Sequence, residues 1–423
     1  MRVHNPEGSV RVNGTLGMLG QSLLSLSFDL GGMLAGTALA IYLNVFSLFP
    51  WSFILYPGIL SIRGAIGGIF CGRLSTGLHL GTIRDRLLGN TRHFYTLCRL
   101  IVVLAFIGSL LLWVFSSISG VLVSGLGFPS LLAVLEVATA TMAVSLVLIP
   151  PIIVLVSFLS FRKGLDPDVI VYPVVSTAAD ILVTLCYVFV LNLFSVRVLG
   201  PFLVGMLDLA FLCFVLYAAF LLPRDRELFR AVRESILTLT IVAAIVNLTG
   251  LTLSRISRMI GRRSEVYVVY PALIDTVGDV GSIVGSTATT KLALGLITFN
   301  VPSMMRHFKE TVGAWLASIL FFTVYALTPT LTGVLPPEEL APFILTLHAT
   351  NVMAIIPMFI IAYVTALLTF RRGWDPDNFV IPIESSIADL VTTLSLLAAI
   401  RLFGLSLIHI SEPTRPRLIS YAV

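Results

Sequence analysis

The stretch RKGLDPD at residues 162–168 recurs as RRGWDPD at residues 371–377, keeping its glycine, aspartates and proline. Downstream of both copies the same four residues follow at one spacing: Pro173, Ser176, Ala179 and Asp180 correspond to Pro382, Ser385, Ala388 and Asp389. Apolar segments resemble one another by chance in leucine and valine, but not in matched Asp, Pro and Gly. The sequence therefore contains an internal duplication, which governs the architecture.

A second matched block lies upstream of each copy of the first. YPGIL at residues 56–60 corresponds to YPALI at residues 270–274. At the same offset, Gly64 and Gly67 correspond to Gly278 and Gly281. Because the two blocks are far apart in each copy, the duplication covers most of the chain rather than one short motif.

The composition is that of a chain that lies mostly in lipid. Of the 423 residues, 57% are hydrophobic and 12% are charged, against about 25% charged in a soluble domain. A spanning helix needs about 20 apolar residues. We predict eleven such helices, at residues 18–46, 53–79, 96–124, 130–160, 170–195, 199–222, 235–254, 267–291, 312–334, 341–369 and 379–404. Several of these segments are long, so we expect tilt or a break at Pro57, Pro150-Pro151 or Pro357.

The duplication and the number of spans together predict the topology. Each repeat holds five helices, and an odd number would leave fused copies in opposite orientations. The apolar segment 199–222 adds a sixth crossing and makes the copies parallel. We therefore predict an all-α integral membrane protein with about 11 transmembrane helices, as two parallel five-helix repeats joined by a linking helix. The predicted units are a first repeat at 15–198, a linking helix and loop at 199–231, a second repeat at 232–405, and a non-native tail at 406–423.

Loop charge predicts the orientation of this multi-pass cell-membrane protein. Both RKGLDPD-type loops and most other arginine-rich loops fall on one side, which the positive-inside rule places in the cytoplasm together with the N-terminus. The arginines between residues 255 and 263 are an exception, and we assign some of them to a longer seventh helix or a surface segment. The net charge of +5 is small and indicates no nucleic-acid partner.

Two aspartates related by the duplication are the first candidates for a functional site. Asp180 and Asp389 each lie about ten residues into a helix, about 15 Å along its axis and therefore near the bilayer midplane. A charge at that depth is costly and must face the bundle interior or water. A pair meeting near the pseudo-two-fold axis would form an oxygen-lined metal-cation site. The alternative is a pair of protonated or partnered structural aspartates.

Further acids extend this candidate site. Asp275 and Asp279 share one face of the eighth helix, and their first-repeat counterparts are Ser61 and Ala65, so the site is predicted to be asymmetric. A salt bridge or a proton site is the alternative for this pair. Glu384, one to two turns from Asp389, is a further metal candidate.

Three other ionisable groups complete the sequence-based predictions. Asp166 and Asp375 lie in the matched loops, where either an ion vestibule or helix capping accounts for them. Arg63 lies in the second span, and we expect it to pair with an intramembrane acid such as Asp29. Carboxylate and carbonyl oxygens suit hard ions such as Mg²⁺, which keeps several of its waters. The sequence has no Cys/His cluster of the kind that favours Zn²⁺ or Cu⁺.

These features resemble a known family. The pattern DPDN at 375–378 followed by Pro382 and Asp389 resembles the last membrane helix of MgtE-type magnesium transporters, and GRLST at 72–76 resembles a segment of their duplicated eukaryotic solute-carrier relatives. The resemblance implies Mg²⁺ transport, with Asp180 and Asp389 lining the pore. It also implies a dimeric pore, made here within one chain that works as a monomeric pseudo-dimer.

The predicted partners are therefore a divalent cation and the lipid bilayer, with no resident cofactor and no enzymatic activity. Coupling to Na⁺ or H⁺ and the choice between channel and exchanger stay open. The main alternative is a secondary transporter of another cation or of a small organic substrate. An intramembrane aspartyl protease is disfavoured because Pro271-Ala272-Leu273 precedes Gly278-Asp279, the reverse of the order in those enzymes. A non-transporting scaffold is the remaining alternative.

Overall fold

The fold is built from helices whose apolar surfaces cover most of their circumference, as lipid-embedded segments require. The computed structural model describes residues 15–162, 167–222, 226–261, 263–293, 295, 301–372 and 376–403. Among these residues the α-helices are α1 (Thr15–Leu26), α2 (Gly32–Ile41), α3 (Leu43–Leu48), α4 (Ser52–His79), α5 (Arg92–Ser124), α6 (Phe128–Arg162), α7 (Pro167–Ser195), α8 (Leu199–Phe220), α9 (Arg226–Ile260), α10 (Ser264–Ala293), α11 (Val301–Leu331), α12 (Leu340–Arg372) and α13 (Pro376–Leu402). Two 3-10 turns, Phe28–Gly31 and Pro337–Glu339, complete the regular structure of the described residues.

The predicted number of spans is confirmed. The described residues contain 11 helices that are long and apolar enough to cross a membrane. The first of them, Gly17–Ile41, consists of α1, the turn Phe28–Gly31 and α2. Five spans lie between α4 and α10, and because an odd number of intervening crossings restores the direction, the two equivalent helices run in the same direction.

The sequence predicted tilt or a break at the prolines of the long spans; a break at these prolines is wrong, and tilt stays a prediction. Helices α4, α6 and α12 run without interruption through Pro57, Pro150-Pro151 and Pro357. Proline is tolerated inside membrane helices because neighbouring groups satisfy the freed carbonyls. The break lies instead in the first span, at Phe28–Gly31, where a 3-10 turn ends on the first of two consecutive glycines.

Helix ends also refine the loop predictions. Helix α9 extends to Ile260, so Arg255 and Arg258 belong to the longer seventh helix. Helices α7 and α13 both begin at a proline, Pro167 and Pro376, whose fixed φ suits the first helical residue. The candidates Asp166 and Asp375 and the predicted tail 406–423 lie outside the described residues.

The first span of each half packs against the other half. Helix α2 lies against α10 and α1 against α11, whereas α9, the first helix of the second half, lies against α4 and α5. Each of these spans also contacts the last helix of its own half, α7 for α2 and α13 for α9. The two halves are therefore interlocked by an exchange of their first spans.

Two glycines make this exchange sterically feasible. A Cβ atom at Gly36 would overlap the carbonyl oxygen of Val268, and one at Gly250 would overlap the carbonyl oxygen of Ile54. The offset that relates Tyr56 to Tyr270 also relates Gly36 to Gly250 and Ile54 to Val268. The same close helix contact, which only glycine permits, thus occurs in both halves.

A pair of buried tyrosines repeats in the same way. The Tyr56 hydroxyl lies 3.0 Å from Thr184 Oγ1, and the Tyr270 hydroxyl lies 2.9 Å from Thr393 Oγ1. Each pair joins the second helix of a half to its fifth helix, α4 to α7 and α10 to α13. A buried hydroxyl without a partner is costly. These bonds therefore hold α7 and α13, the helices that carry Asp180 and Asp389, at matched heights in the two halves.

Candidate cation site

The aspartates singled out in the sequence converge from three helices. Asp180 lies on α7, Asp389 on α13, and Asp275 and Asp279 on α10. The Asp180 carboxyl lies within electrostatic range of Asp389 and Asp279, and that of Asp275 lies within range of all three. We call the five residues Asp29, Asp180, Asp275, Asp279 and Asp389 the central carboxyl cluster. Asp389 is buried, with 8% of its surface exposed, and Asp180, Asp275 and Asp279 are half-buried.

The two halves contribute different groups at the equivalent positions 61 and 275. Ser61 on α4 donates a 2.6 Å hydrogen bond to Asp389 Oδ2 across the boundary between the halves. Its counterpart Asp275 instead brings a carboxylate within electrostatic range of Asp180. Helix α4 packs directly against α13, whereas α10 and α7 approach each other less closely. The additional carboxylate of Asp275 therefore lies between α10 and α7, which stand further apart than α4 and α13.

Asp29 is a member of the cluster that sequence reasoning did not assign to it. It lies in the turn Phe28–Gly31, which packs against both α7 and α10. Its Oδ2 accepts a 2.9 Å hydrogen bond from Thr276 Oγ1, and its carboxyl lies within hydrogen-bonding range of Asp279. The available signal was an acid two residues before a pair of consecutive glycines in an apolar segment, a pattern typical of a broken helix.

Glycines in the broken span allow this approach. A Cβ atom at Gly32 would lie 3.0 Å from Asp275 Oδ2, and one at Gly31 would overlap the methyl group of Thr177 on α7. Any larger residue at these positions would push the turn away from α7 and α10. The small residues thus place Asp29 beside the two acids of α10.

The cluster is too open to chelate a bare ion through three side chains. Within the described ranges, no group of three or more His, Cys, Asp or Glu side chains is arranged to hold one metal ion directly. Neighbouring carboxyls that interact electrostatically without three of them meeting at one point suit an ion that retains its own water shell. Mg²⁺ behaves in this way, since it loses water reluctantly.

The predicted pairing of Arg63 with Asp29 is wrong. Asp29 accepts its hydrogen bond from Thr276 and lies next to Asp279. Arg63 is 2% exposed, and its Nε and Nη2 atoms find no hydrogen-bond partner among the described residues. Its Nη1 lies 3.5 Å from where a Cβ of Gly67, one turn further along α4, would be, and its electrostatic neighbour is Cys186 on α7. The guanidinium therefore points along α4 within the first half, away from the aspartates.

Comparison with known proteins gives the identity. The family profile described as "MgtE: Divalent cation transporter" matches residues 56–190 and 270–399, one segment in each half. The chain is similar to "Solute carrier family 41 member 2" of Xenopus laevis, being 25% identical over 399 residues, which cover 86% of this chain and 68% of that protein. No solved structure matches it. The chain is thus a multi-pass membrane protein that transports divalent cations such as Mg²⁺ and is not an enzyme, and it belongs to the MgtE family of divalent cation transporters.

Proposed function

We propose that Mg²⁺ crosses the membrane between the two halves and is held on the way by Asp180, Asp389, Asp275, Asp279 and Asp29. The observation that supports this proposal is that five carboxyls from four segments, the broken first span, α7, α10 and α13, lie close enough to interact electrostatically. The family gives the substrate class, and the proximity of these side chains supports this place on the ion's path. Glu384, Asp166 and Asp375 remain further candidates along the path.

The electrostatics of the cluster favour a divalent ion. Carboxylates that are brought close together repel one another, and some take up protons unless a cation neutralises them. A divalent ion supplies more neutralising charge than a monovalent one at the same place. Binding through retained water avoids the cost of stripping Mg²⁺ and leaves the ion able to depart.

We further propose that one chain is sufficient for the pathway. The repeated contacts of Gly36 and Gly250, and of Tyr56 and Tyr270, give the two halves the relation that two subunits would have in a dimer. The duplicated chain would then act as a monomeric pseudo-dimer in the bilayer, with its N-terminus and both RKGLDPD-type loops on the cytoplasmic side. The excess of arginine on that side supports this orientation.

The test is Mg²⁺ flux into proteoliposomes containing Asp180→Asn and Asp389→Asn. Each variant is expected to reduce flux at least about tenfold, because a charge-assisted contact worth about 1.5–3 kcal/mol is lost from the ion's path. Asp166→Asn, in the loop, should have a smaller effect.

Asp208→Asn is the matched control. Asp208 is another intramembrane aspartate, on α8, where it accepts a 2.7 Å hydrogen bond from Thr139 away from the cluster. Its substitution should leave flux near the wild-type rate in protein that elutes as a single species. Wild-type flux in both cluster variants would overturn the central-site proposal.

A further inference from the structure

Glu384 on α13 is a buried acid outside the central carboxyl cluster. It is 5% exposed, and its Oε1 atom has no hydrogen-bond partner among the described residues. A carboxylate in this state is costly in the interior of a membrane protein unless something approaches it. Contacts with the surrounding residues therefore do not account for a buried glutamate at position 384.

The surroundings of Glu384 form a small recess in the facing helix. A Cβ atom at Gly285 of α10 would lie 3.3 Å from both Oε atoms, and one at Gly281 would lie 3.4 Å from Oε1. The same Cβ at Gly281 would lie 2.8 Å from the Met358 methyl group of α12. Two glycines and a flexible methionine thus face the carboxylate, so the space beside it can be widened by rotating one side chain.

The recess adjoins the central carboxyl cluster. One helical turn beyond Glu384, Ala388 lies 3.8 Å from where a Cβ of Gly278 would be, so the same faces of α13 and α10 stay in contact. Ala388 and Gly278 are the neighbours in sequence of Asp389 and Asp279. Glu384 is thus one to two turns along α13 from the cluster, within one step for an ion that moves along this interface.

The first half has the opposite charge at its equivalent place. Gly67 is the counterpart of Gly281, and the group beside it is Arg63, with Nη1 3.5 Å from where a Cβ of Gly67 would be. The counterpart of Glu384 is Val175, and that of Arg63 is Val277. The duplication therefore places a carboxylate beside one glycine and a guanidinium beside the other.

We propose that Glu384 is a second binding residue for the transported divalent cation, present in the second half only, and that Arg63 repels cations from the equivalent place in the first half. A single carboxylate binds a hydrated divalent ion more weakly than the five-acid cluster. Weak neighbouring sites allow an ion to leave a strong one, as conduction requires. The proposal rests on the proposed function, because it needs the cluster as the neighbouring site.

The experiment compares Glu384→Gln with Asp389→Asn in full-length protein. Flux is measured in proteoliposomes over a range of Mg²⁺ concentrations, and Mg²⁺ binding is measured separately as the rise in Tm that the ion causes in detergent. Glu384→Gln should raise the Mg²⁺ concentration for half-maximal flux by about tenfold. It should also keep most of the Mg²⁺-dependent rise in Tm, because the cluster is intact.

The controls separate this proposal from the central site. Asp389→Asn should lose both the Mg²⁺ flux and the Mg²⁺-dependent rise in Tm. If it loses neither, the proposal of a central site is wrong, independently of the result for Glu384. Glu384→Asp should recover transport in part because it restores the charge. Glu136→Gln, a half-buried glutamate on α6, should behave as wild type. If Glu384→Gln transports normally while Asp389→Asn does not, or if Glu384→Asp recovers nothing, Glu384 is no binding residue.

Discussion

At the scale of single residues, the two halves differ at the positions that matter for charge. Ser61 donates to Asp389, whereas Asp275, its counterpart, adds a carboxylate beside Asp180. Asp29 adds another on the same side, and its counterpart by the same offset is Ala243. The two halves are thus similar scaffolds that differ in charge, and each contributes an acid, Asp29 from the first half and Asp275 from the second, that has no acidic counterpart in the other.

Exchanging the residues at the positions of Ser61 and Asp275 tests this asymmetry. Asp275→Ser should raise the Mg²⁺ concentration for half-maximal flux by about tenfold, since one carboxylate leaves the cluster. Ser61→Asp places a second carboxylate next to Asp389, so it should lower the Tm without Mg²⁺ and increase the rise in Tm that Mg²⁺ causes. Tm measured with and without the ion checks both expectations, and equal shifts in wild type and Ser61→Asp would contradict the repulsion argument.

At the scale of helices, close contact through glycine controls how the first spans cross between the halves. Gly36 on α2 meets the backbone of α10, and Gly250 on α9 meets the backbone of α4. Lipid offers no hydrophobic drive for helices to associate, so such contacts gain their stability from close backbone packing. The broken first span adds a second function to this packing, because the turn between α1 and α2 carries Asp29.

Adding one methyl group to these contacts should separate the helices. Gly36→Ala and Gly250→Ala should each destabilise the protein by about 1–3 kcal/mol, since their Cβ atoms would overlap a carbonyl oxygen and a backbone cannot yield as a side chain does. Gly205→Ala on α8 is the control, because nothing lies within 4 Å of a Cβ there. Thermal unfolding in detergent should show lower Tm for the first two variants and no loss for the third. An unchanged Tm for both would mean that the helices are not held this closely.

At the scale of the whole molecule, the exchange of first spans makes each half depend on the other. Helix α9 supplies packing surface to α4 and α5, and α1 and α2 supply it to α11 and α10. The two units predicted from the sequence, 15–198 and 232–405, are therefore not separate packing units, although their bounds as sequence repeats stay a prediction. A half expressed alone would expose the surfaces that the other half's first span covers.

Dividing the chain between α8 and α9 tests this interdependence. When the segments before and after residues 223–225 are expressed together, they should purify as one complex and transport Mg²⁺. Expressed singly, each should aggregate or be degraded, because its uncovered helix faces carry small and polar residues that suit a helix partner rather than lipid. Size-exclusion chromatography and flux measurement distinguish the outcomes. A stable, monodisperse single half would show that the exchange is dispensable.

The sequence by itself determined the features that depend on local pattern. Apolar length determined the eleven spans, matched Asp, Pro and Gly residues determined the duplication, and the cost of charge in lipid singled out Asp180, Asp389, Asp275 and Asp279. These inferences need only composition and spacing, which are properties of the chain. They do not depend on which helices become neighbours.

The tertiary structure decided the features that depend on which surfaces meet. It places the break at Phe28–Gly31 rather than at Pro57 or Pro357, because neighbouring helices determine whether a proline or a glycine pair interrupts a span. It brings Asp29 to Asp279 and leaves Arg63 apart from both, since α2 packs against the opposite half. Such pairings follow from long-range backbone contacts between segments far apart in sequence, and no local pattern encodes them.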